Sequence, residues 1–361
     1  MKRVRITTGA RLHFGLLDIA SPFGGCGVMI DRPATVVEAH PSSEFAYSQV
    51  DSSVDHRDRA IAIAGRIAER IKPGRSLPPV HVEVQSLAPA HSGLGSGTQL
   101  SLAISEAILH AYPAIPGDDS DLRLSSDVAE SDPAVGQELN LGSELNGTPV
   151  LNRELWLRGA DRGRRSAVGT HGYLSGGFIV EGLEADRSGV TPNPLDMRLE
   201  MPSQWRVAIL FPKVPLSSDA SVSGEQEQAR FESLSPVAPD RRDHLAKLLT
   251  DTLVPAIKDG DFDRFCSAAT RYNRLSGELF ADVQGGAYNG EATTRLIDQL
   301  LDAGFAGVGQ SSWGPGVFVW HRDEESAKRF QRTWSSPQYH ILVARPKDDG
   351  RCVRALPDEP A

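Results

Sequence analysis

Four short stretches of this chain bring together residues suited to binding anions. The first is Pro89-Ala-His-Ser-Gly-Leu-Gly-Ser-Gly97, directly ahead of a helical pattern that starts near Thr98. Glycines let the backbone turn its N–H groups toward one point, and the positive end of a helix dipole beside them favours phosphate. Gly93, Leu94, Gly95, Ser96, Gly97 and Thr98 are therefore candidate phosphate contacts. The Lys-Ser/Thr pair of the common nucleotide loop is missing, and the dinucleotide fingerprint is not met. A tight strand-to-helix turn with a Ser/Thr cap explains the same residues without a ligand. In the second stretch, Ala10 to Asp18, an extended chain puts Arg11, His13 and Gly15 on one face and Leu12, Phe14 and Leu16 on the other. The alternative there is a solvated strand face with a satisfied histidine.

The third stretch, Arg162-Gly-Arg-Arg165, concentrates cations in a chain whose net charge is −9. Arg164 and Arg165 can grip phosphate or carboxylate through paired hydrogen bonds, or simply form an exposed basic loop. His171, just beyond, is a candidate base. The fourth stretch, Gly307-Val-Gly-Gln-Ser-Ser-Trp-Gly-Pro-Gly316, sets Gln310, Ser311, Ser312 and the aromatic face of Trp313 between two apolar strands. A bulged hairpin would account for its glycines but not for its Gln-Ser-Ser set. The ten histidines form no His-x-x-x-His pair and no serine sits in Gly-x-Ser-x-Gly, so a zinc site and an α/β-hydrolase triad have no support.

Hydrophobic periodicity predicts the elements that position these groups. Val4, Ile6 and the run Ala34 to Ala39 read as strands around a glycine-rich turn, Phe23 to Gly27. Ile61, Ala64, Ile67, Ala68 and Ile71 recur at helical spacing up to Pro73-Gly74, and a strand with Val80, Val82 and Val84 follows. Beyond the first glycine-rich loop, Leu100, Ala103, Ile104, Ala107, Ile108 and Ala111 form one helical stripe. Residues 113–149 are polar and turn-rich, 151–157 carry a short helical pattern, 176–181 a strand, and 185–202 read as a linker. The second half predicts a buried strand at 205–211 and helices at 221–233, 240–258, 260–280 and 289–303. Strands at 305–310 and 316–321, a helix at 323–334 and a strand at 339–344 complete it. This is an α+β chain with expected domains 1–190 and 191–345 and a polar tail, 346–361, expected to fray.

At 361 residues the chain can bury two ordinary cores, and its 40% hydrophobic content excludes wholesale disorder. The acidic balance gives no global field for nucleic acid or an anionic membrane, leaving small anionic substrates as the expected partners. Cys26, Cys266 and Cys352 have neither disulfide-framework nor zinc spacing, which fits a reducing cytoplasm. No apolar run approaches the roughly 20 residues that span a bilayer.

In this order and spacing, the four stretches resemble the GHMP kinase superfamily. The loop ending at Gly97 resembles its phosphate-binding motif, Ala10 to Asp18 its first motif, and Gly307 to Gly316 its C-terminal glycine-rich motif. Within the superfamily the chain looks most like the β-ribofuranosylaminobenzene 5'-phosphate synthases. The likeness rests on Arg11-Leu-His-Phe-Gly15, Gly93-Leu-Gly-Ser-Gly-Thr-Gln-Leu100, Gly163-Arg-Arg-Ser166 with Gly176-Gly-Phe178, and the Gln310-Ser-Ser-Trp-Gly-Pro315 string. It implies an N-terminal domain like ribosomal protein S5 and a ferredoxin-like C-terminal domain, with the site between them. It also implies Mg²⁺, with Asp18 as a candidate ligand, no redox cofactor, and a homodimer. The implied reaction joins phosphoribosyl pyrophosphate to 4-aminobenzoate with loss of CO₂ and pyrophosphate, on the route to a methanopterin-type carrier.

One departure bears on mechanism. Where kinases of the superfamily carry a Ser-Gly-Ile-Asp-like string with a carboxylate base, this chain has Ser166-Ala-Val-Gly169. A kinase benefits from that base because it removes a hydroxyl proton. Ring-carbon attack with loss of CO₂ instead needs charge stabilisation for pyrophosphate and orientation of a planar acid. On the resemblance, the loop serves the first need and Arg11, His13 and Arg165 the second. An ATP-dependent small-molecule kinase with its base elsewhere, and a non-catalytic ligand-binding relative, are the alternatives.

Overall fold

The computed structural model describes residues 3–20, 23–50, 54–90, 92–112, 153–184, 192–213 and 237–357. Strand β1 (Arg3–Leu16) pairs antiparallel with β2 (Gly25–Pro41) along nearly its whole length. The far half of β2 pairs with β4 (Val80–Ser86), whose other edge takes the short parallel strand β3 (Ala46–Gln49). The near half of β2 pairs with β5 (Phe178–Glu181), and β5 with β6 (Leu195–Leu199). Helices α1 (Arg57–Ile71) and α2 (Ser96–Ala111) pack on this sheet, α3 (Arg153–Ala160) packs against both of them, and the short α4 (Val168–Ser175) precedes β5. Ala64 and Ile67 of the predicted α1 stripe and the whole α2 stripe meet Val80, Val82 and Val84 in one core cluster, whereas Ile61 is exposed and Ile63 enters the core instead.

The second sheet consists of β7 (Arg206–Pro212), β8 (Val308–Gln310), β9 (Val317–His321) and β10 (Tyr339–Ala344), all antiparallel, in the order β10-β7-β9-β8. Between β7 and β8 lie helices α5 (Pro239–Leu248), α6 (Val254–Asp259), α7 (Phe262–Gly277), α8 (Ala281–Gln284) and α9 (Glu291–Asp302). Helix α10 (Glu324–Thr333) joins β9 to β10. A strand, helices, two strands, a helix and a strand in this spatial order make the ferredoxin-like half predicted.

The two sheets share a core. Leu12 and Phe14 of β1 point into it as strand alternation predicts, and Phe14 stacks on Phe318 of β9 at 5.3 Å. Burial of these rings fixes how the halves meet.

Two expectations need correction. The stretch 185–202 is not all linker, because β6 hydrogen-bonds to β5 and carries the first sheet past residue 190. The described part of the polar tail, to residue 357, does not fray. Strand β11 (Cys352–Leu356) pairs with β1, and Arg351 just before it grips Glu106 at 2.7 Å. Glu106 lies buried on α2, where an ionised carboxylate needs a partner, and Arg351 also lies over the rings of Trp156 and Tyr173. The turn-rich 113–149 and the helix expected at 221–233 fall outside the described residues. Among the described residues no helix is long and apolar enough to cross a membrane.

Candidate functional site

Three of the four predicted stretches meet through their backbones. A Cβ at Gly93 would run into the Ser311 carbonyl, and one at Gly314 into the Gly93 amide, so the two glycine-rich segments touch with no room for side chains. The Ser311 hydroxyl donates to the Gly93 carbonyl at 2.8 Å and accepts from the His13 amide at 3.1 Å. On β1 the register against β2 slips between His13 and Gly15, a bulge that re-aims the strand as it enters the site. Asn273 of α7 completes the clamp by donating to the carbonyls of Phe14 and Gln310.

These contacts frame a cleft of about 280 Å³. Arg11, Arg162, Arg164 and Arg165 line it, together with the aromatic rings of Phe280, Tyr288 and Trp313. Among the described residues Asp161 is the one carboxylate that lines the cleft, and Arg164 already holds both its oxygens. Concentrating arginines here in a net-acidic chain makes the cleft a local trap for anions.

Gly95 precedes the first turn of α2 in the left-handed region (φ +68°), and a Cβ there would stand 3.0 Å from Arg11 Nε. At Gly97 a Cβ would stand 3.2 Å from Arg59 Nη1 and 3.8 Å from Arg162 Nη2. Three guanidinium groups therefore close on the positive end of α2, an arrangement suited to a phosphate or pyrophosphate group.

The predicted residues divide by position. Arg11, His13, Thr98, Arg164, Arg165, Gln310, Ser312 and Trp313 all line the cleft. Ser96 opens α2 beside Gly95 and Gly97. Leu94 points instead into the core and offers only its carbonyl, which accepts from the Arg11 amide at 2.9 Å. Ser311 is fully buried as the tie already described. His171 lies outside the cleft lining with Nε2 against the Asn193 carbonyl at 2.7 Å, so it is not placed to act as a base. Gly169 packs on the start of α2, where a side chain would meet Thr98 at 3.2 Å.

Arg59, Asn273 and Glu181 escaped the sequence reading. Arg59 had a signal, since a cation in the first turn of a helix opposes the helix dipole and calls for a reason. Asn273 had none, being one polar residue on an amphipathic helix. Glu181 ends an otherwise apolar strand, and a carboxylate there signals a built interaction. It is fully buried, its Oε1 accepts from the Ala167 amide at 2.9 Å, and its Oε2 has no hydrogen-bond partner. Burial pushes its carboxyl up to about 7, against the pull of the Asn193 and Ser166 side chains and the Ala167 and Val168 amides. His13 shares a 3.1 Å hydrogen bond between Nε2 and Ser166 Oγ, and burial, helped by Arg11, holds its pKa well below the usual value.

Mg²⁺ can be tested against these side chains. Asp18 accepts from the Ile19 and Ala20 amides and pairs with Arg242 at 3.5 Å, outside the cleft lining. Among the described residues, no group of three or more His, Cys, Asp or Glu side chains is placed to hold a metal ion. With Asp161 committed to Arg164, these carboxylates do not fit a protein-held Mg²⁺.

A family model described as GHMP kinases N terminal domain matches residues 59–136, and one described as GHMP kinases C terminal matches 253–340. The chain is 27% identical over 332 residues to a beta-ribofuranosylphenol 5'-phosphate synthase of Methanothermobacter thermautotrophicus, covering 87% of each chain. It is 26% identical over 330 residues to the protein of the same name from Archaeoglobus fulgidus, covering 88% of this chain and 87% of that one. Among solved structures, a homoserine kinase from Cytophaga hutchinsonii matches with a TM-score of 0.57 at 16% identity, covering 98% of both chains.

Proposed function

The chain belongs to the GHMP kinase superfamily and is an enzyme of its synthase branch, and we propose that its cleft transfers a phosphoribosyl group from phosphoribosyl pyrophosphate to the ring of a 4-substituted benzoate. The observation that carries this reading is a cleft walled by four arginines whose one carboxylate is already paired. That wall favours departure of pyrophosphate, and among the described residues it offers no unpaired carboxylate to deprotonate an alcohol.

Arg11, Arg59, Arg162 and the amides opening α2 hold the pyrophosphate. Arg165 meets the carboxylate of the aromatic acid, whose ring lies against Trp313 and Phe280. The ring carbon bearing the carboxylate attacks C1 of the ribose as the bond to pyrophosphate breaks. The bond to CO₂ then breaks, and its electron pair restores the aromatic ring. These side chains serve either 4-aminobenzoate or 4-hydroxybenzoate, and the phenol in the relatives' name favours including the second. The product would enter a methanopterin-type carrier. Mg²⁺ would arrive on the pyrophosphate of the substrate.

The test is pyrophosphate release from phosphoribosyl pyrophosphate with each acid, run beside ATP consumption with candidate alcohols. Release dependent on the acid is expected. ATP turnover without pyrophosphate release would make the chain a small-molecule kinase instead.

A further inference from the structure

Behind the cleft wall stands a line of groups that phosphoribosyl transfer, as described, leaves without a task. His13 faces the cleft, and its Nε2 is bonded to Ser166 Oγ at 3.1 Å. Ser166 in turn neighbours the buried Glu181, whose Oε1 is anchored by the Ala167 amide and whose Oε2 lacks a partner. A carboxyl oxygen buried with nothing to bond is costly and calls for an explanation. His13 Nδ1 makes no hydrogen bond among the described residues, which leaves it available to a ligand.

Resting on the transfer reading above, we propose that Ser166 and Glu181 are positioning residues that make His13 the proton acceptor for a ring hydroxyl on the aromatic acid. When the ring carbon of a phenolic acid attacks ribose, positive charge develops on the hydroxyl oxygen. A hydroxyl carrying that charge is a far stronger acid than an imidazolium, so it gives up its proton even to a histidine whose pKa is lowered by burial and Arg11. Passing the hydroxyl proton to His13 Nδ1 leaves a neutral dienone, while Nε2–H bonds Ser166 and Ser166 turns its own hydrogen toward Glu181. When CO₂ leaves, its electron pair restores the ring as a phenolate, which takes the proton back from His13. No proton is gained or lost overall. An amino group needs no such acceptor, because its nitrogen carries the charge as an iminium until CO₂ departs.

The surroundings of Glu181 are compatible with this role. Cys26 of β2 and Tyr272 of α7 face it, and burial raises both of their pKa values, so neither competes near neutral pH. Arg242 of α5 is committed to the Gly182 carbonyl and Asp18, His171 of α4 to the Asn193 carbonyl, and Asp196 to the Leu183 amide. Glu181 itself titrates near neutrality, where the pH dependence of turnover would report it.

The experiment measures kcat and KM of the full chain on 4-hydroxybenzoate and 4-aminobenzoate across pH, for wild type, Glu181→Gln and Ser166→Ala. Both variants are expected to lower kcat on the hydroxy acid by about 100-fold with little change in KM. Glu181→Gln should also lose the acidic limb of the pH profile, while turnover of the amino acid analogue stays within about threefold. Ser166→Thr, which keeps the hydroxyl, should restore the hydroxy-acid rate. If Glu181→Gln does not fold, Ser166→Ala decides alone. Equal losses on both acids, or none on either, overturn the proposal. A wild type active on the amino acid analogue alone overturns it and leaves phosphoribosyl transfer standing. A wild type active on neither overturns both.

Discussion

Replacing Gly95 with alanine separates a ligand-binding loop from an ordinary helix start, because the chain supplies its own control. Gly95 and Gly74 sit at nearly the same left-handed φ, +68° and +74°. A Cβ at either position brings similar strain, about 1–2 kcal/mol of stability. Their surroundings differ. At Gly74 a Cβ meets nothing within 4 Å, whereas at Gly95 it stands 3.0 Å from Arg11 Nε, 3.4 Å from Arg11 Cβ and 3.6 Å from Cζ. Both variants should therefore lose comparable stability in denaturant unfolding, but only Gly95→Ala pushes a guanidinium off the start of α2. If Arg11 gives the anion a charge-assisted hydrogen bond worth about 1.5–3 kcal/mol, phosphoribosyl pyrophosphate should bind about 10- to 150-fold more weakly to Gly95→Ala. Calorimetric titration reads the affinity, and Gly74→Ala should bind like the parent. Equal affinity in Gly95→Ala and Gly74→Ala, with both folded, would refute the placement of phosphate at this loop.

Arg165→Met should weaken binding of the aromatic acid, most at low ionic strength where screening is least, and leave unfolding unchanged; calorimetry at several salt concentrations checks this. Arg351→Met should lower stability by about 3–5 kcal/mol by stranding the buried Glu106 carboxylate, measured by denaturant unfolding. His321, buried against Phe305 and Phe330, has its pKa lowered from 6.5 to about 4 by burial. The unfolded chain therefore binds more protons in that window, and the group should remove roughly 3 kcal/mol of stability as pH falls through it. His321→Phe should flatten that part of the stability curve relative to the parent. ATP should not be consumed with small alcohols at an ordinary kinase rate, since a missing base typically costs about 10²–10⁴-fold and His171 is turned away; a coupled ADP assay checks this.

The alternation of Arg11 and His13 against Leu12 and Phe14, the glycine-rich loop ahead of α2, the apolar stripe of α2 and, apart from Ile61, that of α1 were legible in the sequence. Each depends on contacts within one strand, turn or helix, where side-chain period and backbone freedom suffice. The order of strands and helices in the second half was legible too, while its ferredoxin-like arrangement came from the family resemblance. What tertiary structure alone decided are the meetings between distant segments. Ser311 reads as a substrate contact until its hydroxyl is seen bridging Gly93 and His13. Leu94 shares its loop with ligand-facing neighbours, but only packing shows its side chain committed to the core. The tail reads as frayed because its composition is polar, and the Glu106 that orders it lies 245 residues away. Glu181 and Ser166 carry no joint motif, and their approach behind His13 depends on how α4 returns into β5. Local periodicity specifies which face of an element is buried, whereas the partner of a lone buried charge is set only when the chain closes around it.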